Sequence, residues 1–107
     1  MTFRRRGRFD GLAARQLDLF AADESDLLTE IGEAEEAWTR AGRDEAEEAY
    51  GDYQLAVDAA ADRLLEIRET YAATLDAEAG EEYRVAFTRA ASRRFRRLTT
   101  LLEDLDG

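Results

Sequence analysis

Arginine supplies every positive side chain of this sequence, and its densest run is the segment whose residue types most clearly suggest binding chemistry. Residues 93–97 read Arg-Arg-Phe-Arg-Arg, and Arg89 precedes them by one helical turn. Guanidinium groups bind carboxylates and phosphates through paired hydrogen bonds. Basic residues interleaved with an aromatic side chain are also typical of nucleic-acid contacts. The run therefore indicates either an acidic protein surface or a nucleic acid as its partner.

Catalytic chemistry has few candidate residues here. The 107 residues include 25 acidic side chains but no Cys and no His, so no thiolate or imidazole can act as a nucleophile, a base or a metal ligand. Pairs of carboxylates occur by chance at this density, and a general acid also needs a desolvated pocket. The seven glycines are dispersed and form no phosphate-binding loop. We expect no enzymatic activity, no cofactor and no metal site.

The charges are segregated along the chain. Residues 83–97 contain six arginines and no acidic residue, whereas residues 9–82 are strongly acidic and the formal net charge is −10. One interpretation is internal balance, in which basic and acidic helices attract each other. The other is contact between opposite faces of two copies, or of this chain and a partner. The net charge repels phosphate at long range, which favours a protein partner over nucleic acid.

Apolar residues recur at alternating intervals of three and four, which predicts helices packed lengthwise. The first such stripe runs over residues 10–41 in one register and favours a single unbroken helix. The alternative is a break near residues 22–25, where Asp23 or Ser25 could cap a second helix. The members of this stripe are Ala13, Leu17, Phe20, Glu24, Leu27, Ile31, Ala34, Trp38 and Ala41.

Two further helices are predicted, over about residues 45–75 and from about 77 to 104. Gly42 is expected in the left-handed conformation that ends a helix, and Asp44 and Asp76 as the caps of the next two. The second stripe is Ala46, Tyr50, Tyr53, Val57, Ala60, Leu64, Ile67 and Tyr71. The third is Phe87, Ala91, Arg94, Leu98, Leu101 and Leu105. The absence of proline permits long helices.

These patterns predict an all-α fold, an elongated antiparallel three-helix bundle of long heptad-patterned helices. Short turns make neighbouring helices antiparallel. Residues 1–8 are predicted to be a flexible basic arm, and residues 9–107 a single domain. The chain contains no apolar run long enough for a membrane span, and no apolar segment follows its charged start. We therefore expect a cytoplasmic protein without membrane contact.

Two kinds of residue depart from the stripes. Leu55 and Leu65 lie among the acids of the second helix, either as scattered surface residues or as part of a second contact surface. Arg94 lies on the apolar face of the third helix and is a candidate buried charge. Its head group could reach water, pair with a carboxylate of a facing helix, or bind an anion. The first two interpretations are favoured.

The function predicted from these observations is a non-enzymatic helical protein–protein interaction module that associates with itself. The predicted partner-binding residues are Arg89, Arg93, Arg96, Arg97, Leu55 and Leu65. The alternative is a nucleic-acid-binding accessory protein that uses the arginine-rich third helix and the arm with Arg4, Arg5 and Arg6. Binding to nucleic acid at low salt that collapses as salt rises would distinguish the alternative.

Overall fold

The computed structural model describes residues 7–99, and every regular element in that range is an α-helix. The helices are α1 (Asp10–Asp23), α2 (Ser25–Arg40), α3 (Ala46–Ala72) and α4 (Ala77–Arg94). The all-α prediction is confirmed, but the prediction of three helices is corrected to four. Six of the eight residues of the predicted arm, and the predicted helical segment 100–104, lie outside the described residues.

The additional helix arises because the first predicted helix is interrupted at one residue. Glu24 has φ −109° and ψ 27°, outside the helical range, so α1 ends before it and α2 begins after it. The backbone ladder nevertheless continues, since the Glu24 N–H donates to the Phe20 carbonyl at 2.9 Å. No side chain caps α2, so the alternative break is found without the predicted cap.

The two halves of this interrupted helix pack on different partners. On α1, the ring of Phe9 lies 5.7 Å from that of Tyr83, and Phe20 lies 5.3 Å from Phe95, so α1 runs parallel to α4. On α2, Trp38 lies 5.5 Å from Tyr53 near the start of α3, while Glu24 pairs with Arg63 further along that helix. This order makes α2 antiparallel to α3.

The helix α3 also runs antiparallel to α4, because residues late in α3 contact residues early in α4. Glu69 accepts from Arg84, and the rings of Tyr71 and Tyr83 lie 4.8 Å apart. The bundle therefore has three sides: α1 followed by α2 forms one, α4 runs parallel to it, and α3 runs antiparallel to both. Because α4 has 18 residues and α3 has 27, the start of α3 and the end of α2 extend beyond α4.

The turn between α2 and α3 differs from the predicted one, whereas the start of α4 agrees with the prediction. No residue among 7–99 has a positive φ, so the chain leaves α2 through an extended Ala41 rather than a left-handed Gly42. The N-cap of α3 is Glu45, not Asp44, and it makes no side-chain cap. Asp76 caps α4 as predicted, since its carboxylate accepts from the Ala79 N–H at 2.8 Å.

The core follows most of the predicted stripes. Its buried apolar members include Ala13, Leu17, Phe20, Ile31, Tyr53, Val57, Ala60, Leu64, Tyr83, Phe87, Ala91 and Leu98. The helix α4 ends at Arg94 because Phe95 leaves the helical conformation with φ −129° and ψ 60°. The prediction of a helix unbroken to residue 104 is therefore wrong. None of the four described helices combines the length and the apolarity that crossing a membrane requires.

Candidate interaction surfaces

Leu55 is the most exposed large apolar side chain of the described residues, at 71%. It borders a shallow groove of about 390 Å³ between α2 and α3, which we call the leucine groove. Glu30 of α2 and Asp52 of α3 also line this groove, so Leu55 shares it with two carboxylates. The lining residues are Leu27, Glu30, Ala34, Asp52, Leu55, Ala56 and Ala59. The sequence predicts Leu55 as a partner-binding residue because it departs from the apolar stripe of its helix.

Leu65, the second leucine predicted to bind a partner, is differently placed. It is partly buried and packs against the core, as does Leu28 on α2. Leu19 on α1 is exposed at 63% but lies outside the leucine groove. Of the two leucines predicted to contact a partner, the structure therefore leaves Leu55 as the exposed one.

The arginines predicted to bind a partner divide into two groups. Arg97 forms an ion pair with Glu35 of α2 within the molecule. Arg89, Arg93 and Arg96 are exposed and make no ion pair with any residue of the range 7–99. Val85, Arg89 and Arg93 recur at intervals of four, which places them on one side of α4. We call Val85, Arg89, Arg93 and Arg96 the basic face.

Arg94 is exposed, not buried as its place on the apolar stripe suggested. Its guanidinium lies 2.5 Å from the carboxylate of Asp18 on α1 and 5.3 Å from the ring centre of Phe95. It thus pairs with an acid of a facing helix, which was one of the favoured interpretations. Its side chain lies at the end of α4 and is 42% exposed.

Among residues 7–99 the buried arginine is Arg68, which the apolar stripes did not predict. Arg68 is 3% exposed and donates to the Glu69 carboxylate at 2.9 Å and to the Thr88 hydroxyl of α4 at 2.8 Å. The hydrogen bond from Arg84 lowers the pKa of Glu69 below its usual 4.5, and Arg68 acts in the same direction against partial burial. This network joins α3 to α4.

Tyr83 is the largest fully buried side chain and makes a polar contact across the bundle. Its hydroxyl donates to Gln16 of α1 at 2.6 Å. Burial raises the pKa of Tyr83 from 10 to about 12, so the hydroxyl is neutral and remains a donor at physiological pH. Tyr83 thus aligns α1 with α4 and offers no reactive phenolate.

A second groove opens on the part of the α2–α3 pair that extends beyond α4. It has a volume of about 540 Å³ and an aromatic wall of Trp38, Tyr50 and Tyr53, and we call it the aromatic groove. The Trp38 ring lies 4.8 Å from Tyr50 and 5.5 Å from Tyr53. Trp38 is 39% exposed and Tyr50 44% exposed, although the stripes placed both in the core.

The acidic residues of the described range are dispersed over the surface of the bundle. Within the range 7–99 no three acidic side chains converge in a way that could hold a metal ion. The two grooves are open and lie between α2 and α3, and apolar, aromatic and charged side chains line them.

No family model, curated protein or solved structure matches this chain.

Proposed function

We infer that this chain is a non-enzymatic helical interaction module that associates with further copies of itself through the leucine groove and the basic face. The observation that carries the proposal is the exposure of Leu55 on α3. Its side chain is 71% exposed and shares the leucine groove with the carboxylates of Glu30 and Asp52. Exposure of a large apolar side chain costs about 1.5–3 kcal/mol relative to burial, and contact with another copy would recover it.

The basic face supplies the complementary surface. It presents Val85, which is half exposed, on one side of α4 with Arg89 and Arg93, and Arg96 follows the end of that helix. The leucine groove presents Leu55 together with two carboxylates. Placing one against the other joins apolar with apolar and positive with negative charge. Such complementarity fixes orientation and speeds association, while burial of the apolar pair supplies affinity. The charges of Arg94 and Arg97 are already balanced internally, by Asp18 and Glu35.

The proposed contact joins two different surfaces, so each copy retains one free surface after pairing. Contacts of this kind close into rings or continue as chains. Sedimentation equilibrium is therefore expected to show a mass that rises with concentration beyond the monomer mass of 12.1 kDa.

Leu55→Ser is expected to weaken this association by at least about tenfold, because it removes the apolar anchor. The matched control is Leu19→Ser, since Leu19 is also exposed but lies on α1 outside the groove. Sedimentation equilibrium of both variants measures the difference. A strict monomer at millimolar concentration, or equal weakening by both variants, would overturn the proposal.

Nucleic-acid binding is the second candidate, and the three arginines of the basic face favour it. With three phosphate contacts, the logarithm of the binding constant for duplex DNA should fall with the logarithm of salt concentration at a slope of about −2.7. Replacing Arg89, Arg93 and Arg96 with glutamine should abolish the binding, whereas Arg15→Gln with Arg43→Gln should not. Fluorescence anisotropy of a labelled duplex measures this, and an unchanged anisotropy at low salt would dismiss the candidate.

We propose that the protein resides in the cytoplasm, and fractionation of the source cells would test that expectation.

A further inference from the structure

We propose that the aromatic groove binds a proline-rich, arginine-flanked segment of a different protein in the polyproline II conformation. This surface shares no residue with the leucine groove or with the basic face. The inference therefore does not depend on self-association.

The wall of the groove is a continuous aromatic surface. The three ring centres of Trp38, Tyr50 and Tyr53 lie 4.8–6.3 Å apart, which is direct ring-to-ring contact. A cation cannot enter between rings that already touch, so the cluster is not a cage for a quaternary ammonium group. The rings are mutually inclined, by 62° between Trp38 and Tyr50 and by 45° between Tyr50 and Tyr53, so they form a ridged wall. Aromatic-lined grooves are the surfaces against which polyproline II segments dock.

The polar groups of the wall discriminate between ligand conformations. The indole N–H of Trp38 and the hydroxyls of Tyr50 and Tyr53 have no hydrogen-bond partner among residues 7–99. A polyproline II segment has no internal hydrogen bonds, so all its carbonyls need donors. A helix satisfies its own carbonyls except in its last turn, so a docked helix would leave these donors unused.

The charge of the chain next to the aromatic groove indicates which residue type flanks the prolines of the ligand. The segment 33–48, which forms the end of α2 and the turn into α3, contains seven acidic residues and two arginines. Arg97, the one arginine in the wall of the groove, is paired with Glu35. The charged lining of the groove is thus balanced, while the chain segment that borders it is net acidic, and an arginine that flanks the prolines would be attracted to that segment.

The sequence of this chain excludes itself as the source of a proline-rich ligand. It contains no proline, so a copy of this chain cannot supply the rings that the wall would hold. The occupant is accordingly a segment of another protein.

Trp38 is the only tryptophan of the chain and reports directly on the groove. The probe is a twelve-residue peptide of Pro-x-x-Pro repeats flanked by arginine, titrated into the full chain. We expect a saturable blue shift of the Trp38 emission with micromolar affinity. Tyr50→Ala should weaken binding roughly tenfold, as expected for loss of an aromatic anchor, whereas Leu19→Ala should not.

Three results would overturn the inference. The first is an unchanged emission at millimolar peptide. The second is equal binding of a peptide in which alanine replaces every proline, because that peptide lacks the rings that favour the polyproline II conformation and would show that binding does not require proline. The third is a shift of the emission with protein concentration alone, which would identify a second copy as the occupant. Sedimentation of Leu55→Ser tests self-association separately.

Discussion

Replacing Phe87 with alanine is expected to lower the free energy of unfolding by about 3–5 kcal/mol, the range measured for buried aromatic residues. Phe87 is fully buried in the middle of α4, and its ring lies 5.9 Å from that of Tyr83. The helix α4 packs on both α1 and α3, so a cavity at Phe87 loosens both contacts. Domains of this size are stable by only about 5–15 kcal/mol in total.

Urea denaturation followed by circular dichroism measures this effect. The matched control is Val85→Ala, two residues earlier on α4, where the side chain is half exposed. Its expected cost is within about 0.5 kcal/mol, as for other surface positions. Similar losses for both variants would contradict the placement of Phe87 in the core.

Glu69→Ala is expected to lower the free energy of unfolding by about 2–3 kcal/mol. The substitution removes the carboxylate from Arg68, whose guanidinium is almost completely buried, and loss of one member of a buried ion pair is costly. Partial exposure of Glu69 places the expected value below that of a fully buried pair. Arg68→Met should cost less, because it removes the buried charge together with the need for a counter-charge.

The control for Glu69→Ala is Glu66→Ala, one turn earlier on α3, where Glu66 forms an exposed pair with Arg63. Exposed pairs contribute at most about 1 kcal/mol. The pKa of Glu69 is lowered in the folded state, so its contribution is complete above pH 4.5 and is lost as the pH falls through the folded value. The stability difference between the wild type and Glu69→Ala should therefore narrow in acid. A larger loss for Arg68→Met than for Glu69→Ala would contradict this explanation.

The sequence predicts the helical class and most of the core because the apolar spacing is regular. Leu17, Phe20, Ile31, Val57, Leu64 and Phe87 are all buried as their stripes require. The interruption at Glu24 was not favoured because the stripe continues across it without a glycine or proline. Only the packing explains it, since α1 contacts α4 whereas α2 contacts α3.

The stripe of α3 also shifts in a way that spacing alone does not reveal. Its buried face follows the predicted Tyr53, Val57 and Leu64 in the first part, where α2 is the neighbour. Further along, Arg68 and Ala72 are buried while Ile67 and Tyr71 are only partly covered. The neighbour there is α4, which lies on a different side of α3. A single periodic pattern therefore does not predict the burial of Arg68.

The interaction surfaces were predictable only in part, for a related reason. Leu55 was predicted because it departs from the stripe of its helix, and Arg89, Arg93 and Arg96 because arginines are dense in this part of the sequence, whereas Val85 was not predicted. Trp38 and Tyr50 obey the stripe and were assigned to the core, yet they remain exposed because α4 is shorter than α3 and does not reach them. Helix length, which decides this exposure, depends on where Phe95 leaves the helix.

The central claim is that the leucine groove of one copy binds the basic face of another, and a mixing experiment tests it most directly. One variant carries Leu55→Ser and keeps the basic face; the other carries glutamine at positions 89, 93 and 96 and keeps the groove. Each alone should sediment as a monomer. Their equimolar mixture is predicted to form a pair of twice the 12.1 kDa monomer mass and no larger species. A mixture that remains monomeric would contradict the claim.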